Sequence, residues 1–270
     1  MKGFLKRSGC TIYYEVTGKG PALIFAHGLG GNYLSWWQQI PYFSKKYTCI
    51  TFSHRGFWPN APLPGVSGPH EFANDLAALI DHLHLDEVAL VAQSMGGWTC
   101  LEYARRRPSV VRALVMASTT GTLDFGAIAH PQIDGIREWS KRSDAERERL
   151  LLKGITGATG ARMADEQPSL HYLYQHINDL TPVVFKESVR TMIRSSRTLA
   201  PGDFAEVKAP LLFVTGEEDC VFPPAAAVAA ASLIPGTHVR ILSKAGHSGY
   251  FEHAEIFNHA IEEFLTGTMK

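Results

Sequence analysis

The chain has few cysteines, no excess charge of either sign and no long apolar run. Cys10, Cys49, Cys100 and Cys220 are far apart and show no C-x-x-C spacing, so neither a zinc site nor a disulfide framework is expected. Lys plus Arg number 26 and Asp plus Glu number 26, which gives no general attraction to nucleic acid or to an anionic membrane. No apolar stretch is long enough to span a bilayer. The opening "MKGFLKRSGCTIYYEV" turns to charge and alternation too early for a signal peptide, so a cytoplasmic location is expected. Repeats and low-complexity segments are also missing. What remains is 270 residues, 45% hydrophobic and 19% charged, enough for a sizeable core. Nothing in the sequence speaks to oligomeric state.

Short apolar runs alternate with helical patterns. "ALIFAHG" (22–28), "CITFS" (49–53), "VALVAQS" (88–94), "VRALVMAS" (111–118), "PLLFVTG" (210–216) and "HVRIL" (238–242) have the length and composition of buried parallel strands. Between two of them, Phe72, Leu76, Leu79, Ile80 and Leu83 recur at helical spacing within 69–83. "CTIYYEV" (10–16) alternates ahead of Gly18 and Gly20 and reads as a hairpin strand. This order predicts an α/β fold, a mostly parallel sheet covered by helices on both faces. From about Thr122 to Ala205 the strands stop and amphipathic helical patterns take over, as in 136–155 and 181–196. The expectation is a core domain of 1–121 and 206–270, with a helical lid of 122–205 inserted between two strands.

The stretch "VAQSMGGWT" (91–99) puts Ser94 between an apolar strand and a helix that must end near Pro108. So tight a strand-to-helix turn leaves no space for large side chains around the serine, and Ala92 and Gly96 are the small residues two before and two after it. The turn exposes the hydroxyl, aims the Met95 N–H at the same point and adds the positive end of a helix. This resembles the nucleophile elbow of the α/β-hydrolases, G-x-S-x-G, with Ala92 in place of the first glycine. By itself such a motif is often accidental.

A serine hydroxyl needs a base, and the base needs an orienting carboxylate. "TGEEDCVFPP" (215–224) has the form G-x-x-D-x-x-x-P and resembles the family's acid loop, with Asp219 in the acid position. "KAGHSGYFEHAEIF" (244–257) puts His247 on a glycine-flanked loop, again as in the family. The order Ser94, Asp219, His247 is the family's order, and three such elements, each following a strand, rarely coincide by chance. In "FAHGLGGN" (25–32) the resemblance implies that the Leu29 and Met95 N–H groups form an oxyanion hole, with Gly28, Gly30 and Gly31 allowing close backbone approach. A dinucleotide loop is disfavoured there, because the third glycine of G-x-G-x-x-G is missing and no acidic residue closes the next strand.

Several other features have plainer readings. His82 and His84, two apart, fall on different faces of a helix end and not around a metal. His27 reads as structural beneath the oxyanion loop, and Asp75 and Asp81 as the polar side of helix 69–83. Asp124 lacks the loop context that Asp219 has. The run "ARRRP" (104–108) offsets a helix dipole. The resemblance departs in "FSHRGFWPN" (52–60), where relatives read D-x-R-G-x-G-x-S; Phe57 and Trp58 are expected to narrow or reshape the entrance. Gly28, Trp98, Val221, Phe222 and Tyr250, with Trp139 of the lid, are the residues expected around the substrate, and Arg55 is the one basic contact foreseen.

The leading expectation is a hydrolase without cofactor or metal that cleaves a small-molecule carboxylic ester or lactone. A C–C bond hydrolase of meta-cleavage or β-diketone type would use the same three residues. A small-molecule receptor on this fold is the reading from a different class, and turnover of an activated ester separates it from both. A serine at position 94, where an aspartate would otherwise stand, argues against epoxide hydrolases and haloalkane dehalogenases.

Overall fold

The computed structural model describes residues 1–63, 68–124 and 133–268. Strands β1 (Lys2–Arg7) and β2 (Cys10–Thr17) form an antiparallel hairpin. Its turn lies on the N-terminal side of the alternating segment, at Gly9 with φ 72°. The glycines after β2 do a different job from the one their position suggested: a Cβ on Gly18 would lie 2.3 Å from the Tyr47 carbonyl oxygen, so they allow a close crossing of two loops.

The remaining strands are β3 (Ala22–Ala26), β4 (Thr48–Phe52), β5 (Val88–Gln93), β6 (Val111–Ala117), β7 (Leu211–Gly216) and β8 (Thr237–Leu242). The sheet order is β1-β2-β4-β3-β5-β6-β7-β8, and β3 to β8 pair in parallel. In β3, β5 and β7 every residue is buried, as the uninterrupted apolar runs predict for strands covered on both faces. At the edge, β8 alternates.

Among the described residues ten α-helices accompany the strands: α1 (Gln39–Phe43), α2 (Pro69–His82), α3 (Gly96–Arg106), α4 (Ile133–Leu152), α5 (Gly160–Glu166), α6 (Pro168–Asp179), α7 (Val183–Ser195), α8 (Pro224–Leu233), α9 (Gly249–Glu252) and α10 (Ala254–Thr268). Alternate residues of one strand face opposite helical layers. Ile24, Leu90, Leu114 and Phe213 pack with Leu76 and Leu79 of α2, Leu101 of α3 and the alanines of α8. Leu23, Phe25, Val91 and Val115 pack with Trp36, Phe43 and with Phe257, Ile261 and Leu265 of α10. Burying each large side chain contributes about 1.5–3 kcal/mol, so this patterning is what holds the sheet between its helices.

From β3 the chain goes outward to β4, then returns to β5 on β3's other side. The carboxyl ends of β3 and β5 therefore flank a reversal of strand order, where an open α/β sheet leaves a crevice. Between β6 and β7 lie α4 to α7, with one isolated bridge between Leu123 and Leu199. Residues 125–132, within the stretch expected to form the lid, lie outside the described residues. Among the described residues no helix is long and apolar enough to cross a membrane.

Candidate active site

Ser94 follows β5 directly and has φ 48°, a left-handed conformation that a side chain adopts only when its surroundings impose it. The Ser94 N–H donates to the Ala117 carbonyl at 2.9 Å, and the Ser94 carbonyl accepts from Gly97 N–H at 2.9 Å as α3 begins. Small neighbours are needed. A Cβ on Gly96 would stand 2.3 Å from the Ala26 carbonyl oxygen, and one on Gly97 would stand 2.5 Å from Thr119 Cγ2. Ala92 is fully buried where the family motif has glycine.

Asp219 and His247 meet behind this turn. Asp219 Oδ2 accepts from His247 Nδ1 at 2.9 Å, while Oδ1 accepts the N–H groups of Val221 and Phe222, each at 2.8 Å. Both residues are buried. With Nδ1 committed to the carboxylate, Nε2 is the nitrogen left to take a proton. The Gln93 amide donates to the His247 carbonyl at 3.2 Å and so joins the elbow to the base loop. Among the described residues Ser94 Oγ makes no hydrogen bond to His247; contacts of this kind are often long without substrate and tighten when it binds. Asp124 adjoins the Leu123–Leu199 bridge, its N–H donating to the Leu199 carbonyl at 2.8 Å.

The loop after β3 comes close to the elbow. A Cβ on Gly28 would lie 1.9 Å from Gln93 Oε1 and 3.2 Å from Ser94 Cβ, so only glycine fits. The Gly28 carbonyl accepts from His27 Nδ1 at 2.8 Å and from Gly31 N–H at 3.0 Å. Because the peptide is planar and trans, this fixes the Leu29 N–H on the opposite side. His27 Nε2 accepts the His54 backbone N–H at 3.0 Å, which assigns the proton to Nδ1. A chain of bonds continues through the His54 ring (3.0 Å) to Thr99 Oγ1 (2.9 Å). Burial pushes His27 down to about 4 and His54 well below the usual histidine range, so both are neutral. Neither the Leu29 nor the Met95 N–H donates to protein among the described residues.

The segment between β6 and β7 covers these loops. Leu29, Met95, Phe57 and Trp98 form one apolar cluster with Phe185, Val189, Met192 and Ile193 of α7. Asn32 Nδ2 donates to the Ile177 carbonyl at 3.4 Å, and Lys186 Nζ donates to the Asn178 carbonyl and side chain at 2.6 and 2.9 Å. A Cβ on Gly30 would stand 2.8 Å from the Tyr174 hydroxyl. Trp139 Nε1 donates to the Asp219 carbonyl at 2.9 Å, which brings α4 onto the acid loop.

The residues expected around substrate divide. Gly28, Trp98 and Trp139 lie against the loops just described. Val221 is 38% exposed, Phe222 packs in the core beneath α8, and Tyr250 packs on Trp36 and Phe257. Two readings need correction. Asp75 is buried and not on a polar face: Arg55 donates to it twice at 2.6 Å, and Arg7 once at 3.0 Å. Arg55 is accordingly a buried structural cation. His82 bonds the Tyr14 hydroxyl at 3.0 Å. Four residues of the site carry no sequence signal: Gln93, His54, Glu252 and Arg197, whose guanidinium lies 5.6 Å from the Trp98 ring centroid. Their spacing matches no motif; His54 and Gln93 find partners in distant segments, and Glu252 bonds only a backbone N–H nearby.

The model of the alpha/beta hydrolase fold family matches residues 21–254. The chain belongs to that family, and it is an enzyme of the hydrolase class. It is 26% identical to the 3-oxoadipate enol-lactonase 2 of Acinetobacter baylyi, over 98% of this chain and 96% of the relative. Among solved structures, Est816, described as an N-acyl homoserine lactone degrading enzyme, superposes with a TM-score of 0.77 at 24% identity, covering 97% of this chain and all (100%) of the other. The enol-lactonase of Burkholderia xenovorans LB400 does so with a TM-score of 0.77 at 19% identity, over 98% and 100% of the two chains.

Proposed function

We propose that the protein cleaves a small-to-medium, apolar carboxylic ester or lactone through an acyl-enzyme on Ser94. His247 Nε2 takes the hydroxyl proton as Ser94 Oγ attacks the carbonyl carbon, and Asp219 stabilises the imidazolium through Nδ1. The Leu29 and Met95 N–H groups receive the developing oxyanion. As the tetrahedral intermediate collapses, His247 returns its proton to the leaving alkoxide. Water, activated by the same imidazole, then releases the acid and restores the serine.

The observation that carries this reading is the His247–Asp219 pair at 2.9 Å behind a serine held at positive φ, with two backbone N–H groups lacking protein partners nearby. The preference for apolar acyl groups rests on the cluster around Leu29, Met95 and Trp98, to which α7 contributes Phe185, Val189 and Met192. We take α4–α7 as the lid that excludes water from this site. Lactone cleavage is supported by the 3-oxoadipate enol-lactonase likeness along nearly the whole chain.

The test is kcat/KM across acyl esters of increasing length, several lactones, dicarboxylate monoesters and a diketone. Neutral substrates with short-to-medium acyl groups should lead. An optimum for the charged monoesters would refute the apolar pocket, and a strong preference for the diketone would move the reaction to C–C cleavage.

A further inference from the structure

Behind the His247 loop lies a second buried carboxylate that the proposed chemistry does not use. Glu252 ends α9 and is 6% exposed. Its Oε1 accepts the Gly246 N–H at 2.6 Å, directly before His247 in the chain. A Cβ on Gly246 would lie 3.3 Å from Oε1 and 4.0 Å from Oε2, so the carboxylate lies against that turn. The turn is also packed against the acid loop: Glu218 N–H donates to the Ala245 carbonyl at 2.8 Å, and a Cβ on Gly216 would stand 2.2 Å from both the Ala245 and Gly246 carbonyl oxygens. From the other side Gln167, the residue before α6, donates to the Glu252 carbonyl at 3.1 Å. Base loop, acid loop and α6 therefore meet around the 245–252 turn, with the Glu252 carboxylate inside it.

We infer that Glu252 is a positioning residue for His247: it anchors the Ala245–Gly246 peptide, one residue ahead of His247, and its charge supports the imidazolium that forms opposite Asp219. The inference rests on the assignment of His247 as the base. The charged groups that act on Glu252 are Asp219 and Glu218 of the acid loop and Arg162 of α5. Arg162 is already engaged by Glu218 at 2.5 Å and by Glu166 at 2.7 Å, which leaves little positive charge to neutralise Glu252. Next along the chain, His253 Nε2 is bonded to the Lys244 carbonyl at 2.9 Å. Burial, with smaller contributions from Asp219 and Glu218, pushes Glu252 up to about 7. Its charge thus changes in the range where a histidine base works. Once ionised, it adds to the negative potential around the imidazole and favours the protonated ring.

Glu252→Gln keeps an oxygen to accept the Gly246 N–H and removes the charge. In that variant the acidic limb of the kcat/KM profile should move to lower pH by roughly half to one unit, as expected for losing one partly screened neighbouring charge. A profile that superposes on the wild type overturns the inference. A second measurement needs neither turnover nor the variant: the ring ¹⁵N signals of His247 in the wild-type protein, followed against pH. They should show, beside the titration of the ring itself, a second inflection near 7 as Glu252 ionises. A single inflection overturns the inference. An enzyme that hydrolyses no ester yet shows both inflections would leave Glu252 coupled to His247 and reject only the proposed reaction.

Discussion

Adding one methyl group at Gly28 perturbs three parts of the site at once. The new Cβ would lie 1.9 Å from Gln93 Oε1, 3.1 Å from Gln93 Cδ and 3.2 Å from Ser94 Cβ. Gln93 is 3% exposed and its amide holds the His247 carbonyl at 3.2 Å, so it cannot swing aside without giving up that bond. The alternative is for the loop to retreat and carry the Leu29 N–H away from the serine. Loss of one oxyanion donor costs about 10²–10³ in kcat, or ~3–4 kcal/mol of transition-state stabilisation. The overpacking itself should lower stability by about 1–3 kcal/mol. For Gly28→Ala we therefore expect kcat for an activated ester to fall at least a hundredfold while KM changes only a few-fold, with the protein still folded in urea titrations. Gly135→Ala is the control. Among the described residues nothing beyond its chain neighbours and the helix's own backbone lies within 4 Å of the Cβ added inside α4, and the change should leave kcat unchanged while raising stability by about 0.5–1 kcal/mol. A Gly28→Ala enzyme with kcat within threefold of wild type would refute the placement of the oxyanion hole beside Ser94.

Other outcomes follow from the same geometry. Asp219→Asn should reduce kcat by about 10⁴, whereas Asp124→Asn should cost far less; steady-state kinetics that reverse this order reassign the acid. Asp75→Asn removes the charge between Arg55 and Arg7, while Glu71 stays 3.3 Å from Arg55, and should cost about 1.5–3 kcal/mol in urea unfolding with little change in KM; no measurable loss contradicts the buried pair. Stability should also depend on pH. His27 and His54 are lowered by burial, so the unfolded chain binds two more protons than the folded one below about 6.5, and acidification destabilises. Glu252 is raised from 4.5 to about 7, so over the same range the folded state holds one extra proton, which opposes the trend. These three groups leave the unfolded chain about one proton in excess, a contribution of about 1.4 kcal/mol per pH unit to the fall in unfolding free energy between about pH 6 and 5. His171, also lowered by burial, adds to that fall, and Glu252→Gln should steepen the slope by a further ~1.4 kcal/mol per pH unit. Equal slopes in the two proteins would contradict the buried carboxyl.

The elements that could be read from the sequence are those whose signal is local. β3, β5 and β7 are continuous apolar runs because both of their faces are covered, and α2 repeats Phe72, Leu76, Leu79 and Ile80 because only one face is. Ser94 stood out because a strand-to-helix turn forces small residues on both sides of it. Asp219 and His247 were found through loop patterns of a few residues, and their hydrogen bond is a fact of the structure alone. β1 went unread: Lys2–Arg7 carries too little apolar character to mark a strand, and pairing with β2 provides what its composition does not. The charge pattern misled at Asp75 and Arg55. A carboxylate on an amphipathic helix ordinarily faces water, and nothing local shows that an arginine 20 residues earlier neutralises it. Glu252 is hidden for a different reason: its partner Gly246, six residues earlier, contributes only a backbone N–H.

The central claim is a covalent acyl intermediate on Ser94. Acid-quenching the reaction with an activated ester and mapping the added acyl mass by peptide mass spectrometry tests it most directly. The account predicts the mass on the peptide containing Ser94, its loss in Ser94→Ala, and its accumulation when release of the acid is slow. Acylation of another residue, or ester turnover that persists at the wild-type rate in Ser94→Ala, would contradict it.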